Sequence, residues 1–492
     1  MVKRKRFIVV GGGIAGLAAG YYLQQLAGKR GLPISLHILE SDSRFGGKIL
    51  TERRDGFVIE GGPDTFVATK PWAMALCSGL GIQDRLHGTN PRFRTTYILR
   101  DGRLHPLPGG LTMMIPTDLG SMVTTGLLSW QGKARMALEF LLPPKRDPGE
   151  ESMGGFVTRR LGREAYEQLI EPLLSGIYAG NGDELSLQAT LPYLRDLEQR
   201  YGGLIRGALA ARRSRRNNGS GASDPPSVFM TPRTGLAEIV EALVAKLLDS
   251  GAELRTGAEV CGLTSTAEEA QLRLCSGTTM SADGVVLATP SFITANLLRK
   301  LDPTLASELS GIQYASTATV TLGYREQRLA RKLDGYGYVI PRREGREALA
   351  CTWTSSKFPH RAPEGFALLR VFIGRAGQEA EIRWEKAELL KIALTELRTT
   401  LGIESEPEFG RVHIFERAMP QYNLGHPARL QRIEACLAKW PRLALAGAAY
   451  RGIGIPDCIN SGKQAAERII SDTVGETADG AHPAEAGGIY AA

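Results

Sequence analysis

Apolar positions along the chain change their period repeatedly, and those changes outline its elements. Residues 5–10 form a short, nearly unbroken apolar run behind a basic start, the pattern of a strand buried on both faces. Residues 14–26 carry apolar side chains at helical spacing, and 34–39 return to a strand that ends in Glu40. Residues from 63 to about 86 read as helical, and 94–107 as a hairpin around Asp101 and Gly102. Helical spacing then dominates 111–216, with segments at 119–128, 131–142, 152–161 and 164–175. Strand texture returns after an amphipathic helix at 235–248: a strand at 252–256, alternating strands over 259–280, and a buried strand leading into Ala288-Thr289-Pro290. Strands rich in Thr, Val, Tyr and Leu fill 312–375, and a helix covers 384–401. The last unit is a strand at 443–446, a glycine-rich turn and a helix from about 457 to 470.

The first strand and helix enclose Gly11, Gly12, Gly13, Ile14, Ala15 and Gly16, a G-x-G-x-x-G turn. Gly11 permits the tight turn, Gly13 lets backbone approach a pyrophosphate, and Gly16 lets the helix pack on the strand. The helix start then turns free N–H groups and the positive end of its dipole toward the phosphates. Glu40, followed by Ser41, stands where a carboxylate meets a ribose hydroxyl. A ligand-free glycine turn is the alternative, but strand, glycines, helix, strand and terminal acid in this order favour a dinucleotide.

The next residues separate nicotinamide from flavin. Arg44, Gly46, Gly47 and Lys48 lead through a short hairpin into Glu60-Gly61-Gly62-Pro63-Asp64. This continuation resembles the FAD-binding region of amine oxidase-like flavoproteins, in which the second glycine pair lets backbone approach the flavin and Arg44 or Lys48 adds positive charge. A matching signal closes the chain, where Gly447, Gly454, Ile455 and Pro456 form a glycine turn and a helix start. A helix N-terminus there favours the negative charge that builds up on a reduced flavin ring.

Bulk properties narrow the class. At 492 residues the chain calls for two or three domains, and its +8 net charge, from 60 basic and 52 acidic residues, is too diffuse to argue for nucleic acid. Six cysteines without a C-x-x-C pair predict neither disulfides nor zinc and point to a reducing compartment, hence the cytoplasm. Lys3-Arg4-Lys5-Arg6 before an apolar run imitates a secretory signal, but Gly11, Gly12 and Gly13 interrupt that run and belong to the nucleotide site. No apolar stretch reaches the 18 residues of a spanning helix. The segment 104–122, with Leu111, Met113, Met114 and Ile115 but broken by prolines, is suited at most to peripheral membrane contact.

Beyond the shared glycine motifs, the runs Glu171-Pro172-Leu173-Leu174-Ser175-Gly176-Ile177-Tyr178-Ala179-Gly180, Cys351-Thr352-Trp353-Thr354, Met419-Pro420-Gln421-Tyr422 and Gly452-Ile453-Gly454-Ile455-Pro456-Asp457-Cys458 are more specific. With them the chain resembles the oxygen-dependent porphyrinogen oxidases, especially the soluble bacterial class acting on coproporphyrinogen III or protoporphyrinogen IX. The resemblance implies an α/β fold: a two-dinucleotide-fold FAD domain, a mixed-sheet substrate domain and an inserted helical domain. FAD segments are expected at 1–88, 228–296 and 437–473, substrate segments at 89–106 and 297–436, and the helical domain at 107–216. A flexible loop is expected at 217–227 and a disordered tail at 474–492; the arginines at 212, 213, 215 and 216 read as a solvated helix end.

It also implies oxidation of the porphyrinogen with FAD, O2 as acceptor and hydrogen peroxide released, in heme biosynthesis, with the product handed to a ferrochelatase by a monomer or homodimer. Val260 would lie beside the adenine. Arg92 would meet a substrate propionate, with Lys70 as its rival, and Gly176 would offer a backbone carbonyl to pyrrole N–H groups unless it merely ends a helix. Cys458 would be a buried thiol near the flavin. No histidine forms an evident catalytic set: His37 reads as structural, and His360 and His426 as weak candidates. An amine oxidase or carotenoid desaturase, or a non-enzymatic scaffold of the same fold, remains the competing reading.

Overall fold

In the computed structural model the described residues are 4–109, 111–112, 115–116, 118–147, 149–217, 227–266, 268–379 and 382–474. Most of the loop expected at 217–227, nearly all of the tail, and Met113 and Met114 lie outside them.

Strand β1 (Lys5–Val10), helix α1 (Ile14–Lys29) and strand β2 (Ile34–Leu39) follow the expected strand–helix–strand order. The apolar run of β1 is buried because it is a central strand: Phe7 and Val9 face one core and Ile8 and Val10 the other. The parallel sheet runs Glu253–Arg255, β2, β1, Gly284–Leu287, Leu443–Leu445, so segments far apart in sequence share one register, with Val10 opposite both Leu39 and Leu287. Helix α1 is buried nearly all round, because the C-terminal helix Ile455–Val474 lies against it. Gly462 permits that approach: a β-carbon there would stand 2.3 Å from the Ala15 carbonyl oxygen.

A second, mixed sheet of seven strands is ordered Phe409–Pro420, Tyr314–Arg325, Phe366–Ile373, Ala348–Trp353, Gly337–Val339, Thr96–Arg100, Arg103–Pro106. The helical region contains Met153–Leu161, whose N-cap Ser152 accepts a hydrogen bond from Gly155, and a longer helix that widens to π form over Tyr166–Ile170 before Glu171–Tyr178. The helix His426–Leu437, expected in the substrate segment, buries Leu430, Ile433 and Leu437 in the cluster of Val10, Leu39 and Val285 beside the parallel sheet.

Two expectations are corrected. Residues 63–86 are only partly helical: Pro71–Gly79 is the helix, while Phe66–Val67 and Leu86–Gly88 flank Phe229–Pro232 as strands. That pairing is set by a partner some 140 residues away, which local periodicity does not record. Cys261 and Cys275 form a disulfide with Cα atoms 5.3 Å apart, because an antiparallel hairpin brings together cysteines that no short motif joins. Among the described residues of the neighbouring segments, Ile115 and Met122 are buried, and exposed apolar surface falls on Val123, Trp130, Leu138 and Leu141, with Trp130 75% and Leu141 78% exposed. Among the described residues no helix is long and apolar enough to cross a membrane.

Candidate functional site: a cradle for FAD

The glycine turn has the geometry its spacing predicts. Gly11 adopts φ +105°, and a β-carbon on Gly16 would stand 1.9 Å from the Gly11 carbonyl oxygen. Gly13 caps α1 with no side-chain hydrogen bond, and nothing lies within 4 Å of where its β-carbon would be. The first amides of α1 therefore open onto free space, as an anion site requires. Ile14 and Ala15 begin the helix and pack into its core. The Glu40 carboxylate accepts the Gly12 N–H at 2.7 Å and the Asp42 N–H at 2.9 Å, and Ser41 Oγ donates to it at 3.2 Å. Val260 is buried against β1 and β2.

The loop at residues 44–48 lies against this turn, with Gly46 N–H donating to Gly12 O at 2.8 Å. Arg44 turns its guanidinium to the carbonyls of Phe45, Gly47 and Ile49, so it braces the glycine pair. Lys48 keeps an accessible surface although the chain packs round its ammonium, which donates to Ala418 O, and desolvation there lowers its pKa. Gly62 sits so close to Lys48 that a β-carbon would stand 1.8 Å from the Lys48 carbonyl oxygen. The Gly61–Asp64 turn is held from behind. Thr319 Oγ1 donates to Gly61 O at 2.7 Å, and Arg370 donates to the carbonyls of Gly61 and Gly62. Burial opposes ionisation of Asp64, but Lys357, Arg370 and Arg361 outweigh it and hold its carboxyl below the usual value.

Two supports carried no sequence signal strong enough to single them out. Glu60 and Arg361 form a fully buried ion pair at 2.8 Å; Glu60 also accepts from Thr51 and Leu236, and Arg361 donates to Thr231. Arg370 lies in an otherwise apolar strand, and its carbonyl partners Gly61 and Gly62 are some 300 residues away in sequence. Beside Arg361, burial above all, with Arg361, His87 and Arg233 adding to it, pushes His360 down to about 4. The unfolded chain therefore binds a proton there from pH 6.5 downward, while the folded chain resists until about 4. Stability is expected to fall as pH drops from 6.5 toward 4. Thermal melts of the parent and His360→Gln across that window should show a shallower slope in the variant.

The closing turn completes the cradle. Gly447 adopts φ +126° and leaves open space at its β-carbon position. Gly454 precedes the helix that starts at Ile455 and Pro456. Tyr422, fully buried and stacked on His426, bridges this turn by donating to Ala448 O at 2.5 Å and accepting from Gly452 N–H at 2.8 Å. His426 meets Tyr450 O, and His37 meets Ser35 and Glu253, so both are structural. Cys458 is buried, and burial pushes its thiol up to about 12.

The substrate candidates separate. Lys70 is engaged by Asp457, with 2.7 Å to each carboxylate oxygen. Arg92 is exposed, and its backbone N–H donates to Asn90. Gly176 lies inside the Glu171–Tyr178 helix; the left-handed cap is Ala179 at φ 48°, which corrects the helix-end reading of Gly176. Gly176 and Ile177 are exposed, while Val339 and Ile453 pack on the cluster of Leu174 and Tyr178. The helical region, mixed sheet and closing turn thus share one apolar cluster, and Gly176 stands beside Val339.

The uncapped glycine turn at the start of α1, the Glu40 carboxylate beside it and two further glycine turns fit FAD, and the class is an FAD-dependent oxidoreductase of the two-dinucleotide fold. The chain belongs to the flavin containing amine oxidoreductase family, which matches residues 14–470. It is 38% identical over 472 residues to a coproporphyrinogen III oxidase of Bacillus subtilis, covering 95% of this chain and 98% of that one. It is 34% identical to one of Staphylococcus aureus, over 95% of this chain and 99% of that one. A crystal structure from Exiguobacterium sp. 255-15 is 34% identical and superposes with a TM-score of 0.84 over 97% of this chain and all of that one.

Proposed function

We propose that the protein oxidises coproporphyrinogen III to coproporphyrin III in heme biosynthesis, with O2 as final acceptor and hydrogen peroxide released. The carrying observation is that exposed Gly176 and Ile177 stand beside Val339 and Ile453, bringing apolar residues of the helical segment, the mixed sheet and the closing turn together. Bound FAD supplies the electron acceptor. The chain's residues supply a dry apolar wall for a flat macrocycle, and the helix start at Ile455 stabilises negative charge across the turn. Relatives named for coproporphyrinogen III are 34–38% identical, against 31% for the protoporphyrinogen oxidase of Bos taurus, which favours the first substrate over protoporphyrinogen IX. The purified protein should generate porphyrin fluorescence and peroxide from chemically reduced coproporphyrinogen; no gain over the spontaneous rate, with oxidation of an amine instead, would overturn the reading.

Arg92 is the proposed propionate anchor, because Lys70 is already paired with Asp457. A charge-assisted hydrogen bond contributes about 1.5–3 kcal/mol, so Arg92→Ala should raise KM about tenfold or more with FAD content unchanged. Arg92→Lys should fall between, since it keeps charge without the fork geometry. Steady-state kinetics of Arg92 and Lys70 variants check the assignment. The product would pass to a ferrochelatase. Cytoplasmic location, with at most peripheral membrane contact through the Trp130, Leu138 and Leu141 face, and a monomer or homodimer complete the proposal.

A further inference from the structure

We propose that Cys261 and Cys275 form a reversible thiol–disulfide couple that sets how tightly the protein holds FAD. Strands Val260–Ser265 and Ala270–Leu274 pair antiparallel, and their register skips between Val260 and Gly262, which makes Cys261 the extra residue of a β-bulge. A bulge turns its side chain out of the regular alternation. Here it carries Cys261 toward Cys275, which follows the last paired residue and whose N–H donates to Glu259 O at 2.9 Å. The Cα separation of 5.3 Å lies within the span a disulfide bridges without backbone movement. Both residues are exposed, whereas Cys77, Cys351, Cys436 and Cys458 are buried. Soluble oxidants and thiols therefore reach this pair and not the others.

The bridge stands beside the segment that holds Glu40, on the proposed ribose side of the nucleotide cradle. Val260, the neighbour of Cys261, packs inward with Val10 and Leu39, the last residues of the two strands that carry the glycine turn and Glu40. Just upstream, Ala258 N–H donates to Glu40 O at 2.7 Å and Gly257 N–H to Asp42 O at 2.9 Å. The same Glu40 holds the Gly12 N–H through its carboxylate. Closing the disulfide locks the bulge and the hairpin end against this segment. Opening it removes the one covalent tie and leaves the bulge held by hydrogen bonds and the burial of Val260, a looser arrangement that FAD binding must order.

The oxidant is hydrogen peroxide or another hydroperoxide. One thiolate attacks a peroxide oxygen, giving a sulfenic acid and one water; the second thiol attacks that sulfur, the S–S bond forms and a second water leaves. The sulfur pair loses two electrons, the peroxide gains them, and the two thiol protons end in water. A dithiol reverses the step by exchange. Peroxide is also the product proposed above, but the coupling to FAD stands without that reading.

The test uses the holoenzyme, oxidised with peroxide or reduced with dithiothreitol, and follows FAD release after dilution by the return of flavin fluorescence. Release from the reduced form should be on the order of fivefold faster or more, the lower end of ordinary coupling between sites. Cys261→Ser and Cys275→Ser should release FAD at the reduced rate under both conditions. With the FAD association rate unchanged, the same factor appears in affinity, and linkage then makes FAD render the couple harder to reduce by that factor, so the thiol midpoint should differ by about 20 mV between FAD-loaded and FAD-depleted protein. Equal release rates, even with a lower melting temperature on reduction, would mean that the bridge only staples the hairpin, and would overturn the proposal. A pair that peroxide does not oxidise would overturn it too. So would stoichiometric Zn2+ capture by the reduced protein with unchanged FAD release, since Glu259, Cys261 and Cys275 bring three ligand-type atoms within 4.8 Å of one another.

Discussion

Gly16→Ala is expected to yield a colourless, less stable protein, whereas Gly13→Ala should yield a protein of reduced flavin content that is as stable as the FAD-free parent. At Gly16 the new methyl would meet backbone, 1.9 Å from the Gly11 carbonyl oxygen, and neither partner can swing away as a side chain does. Relief requires α1 to move off β1, at or beyond the upper end of the roughly 1–3 kcal/mol that overpacking costs. At Gly13 the backbone is extended, φ −72° and ψ 177°, and no atom of the chain lies within 4 Å of the added carbon. The methyl there enters only the space the pyrophosphate needs. The same roughly 1–3 kcal/mol, paid only in binding, weakens FAD affinity about 5- to 150-fold. Flavin-to-protein ratio and the melting temperature of FAD-free protein, measured together, check both arms. Equal loss of stability in the two variants would refute the division of roles.

Arg361→Met should destabilise the protein by about 3–5 kcal/mol, the usual cost of leaving one member of a buried ion pair uncompensated. Glu60 is 3% exposed and Arg361 is 1% exposed, and burial already raises the Glu60 pKa against the pull of Arg361. Without the guanidinium, Glu60 takes up a proton at higher pH or remains charged among the apolar groups behind the Gly61–Gly62 turn. Either outcome strains that turn, so flavin content should fall along with the melting temperature. Glu60→Gln combined with Arg361→Met removes both charges, while the amide oxygen still accepts from Leu236 or Thr51. Chemical denaturation of the two single variants and the double variant should place the double closer to the parent than Arg361→Met alone.

The legible part of the site is the part built from neighbours in sequence. Gly11, Gly13, Gly16 and Glu40 lie within one strand–helix–strand unit, where spacing alone determines which amide meets which carboxylate. The same holds for the hairpin 94–107, seen as Thr96–Arg100 and Arg103–Pro106, and for the helix start at Ile455 and Pro456. Arg44, expected with Lys48 to add positive charge, turns its donors to the carbonyls of its own loop, a role that motif spacing does not reveal. Lys70, the rival anchor, pairs with Asp457, 387 residues away.

By itself, then, the amino-acid order determined the dinucleotide unit, the flavin class and the return of the closing turn, because glycine spacing and hydrophobic period act over a few turns of chain. Tertiary structure alone decided which charges are free and which are spent. Glu60 found Arg361, Cys261 found Cys275, and Tyr422 found both ends of the closing turn. Such pairings depend on buried groups needing a partner wherever the fold supplies one, and a requirement satisfied across hundreds of residues leaves no periodic trace in the sequence.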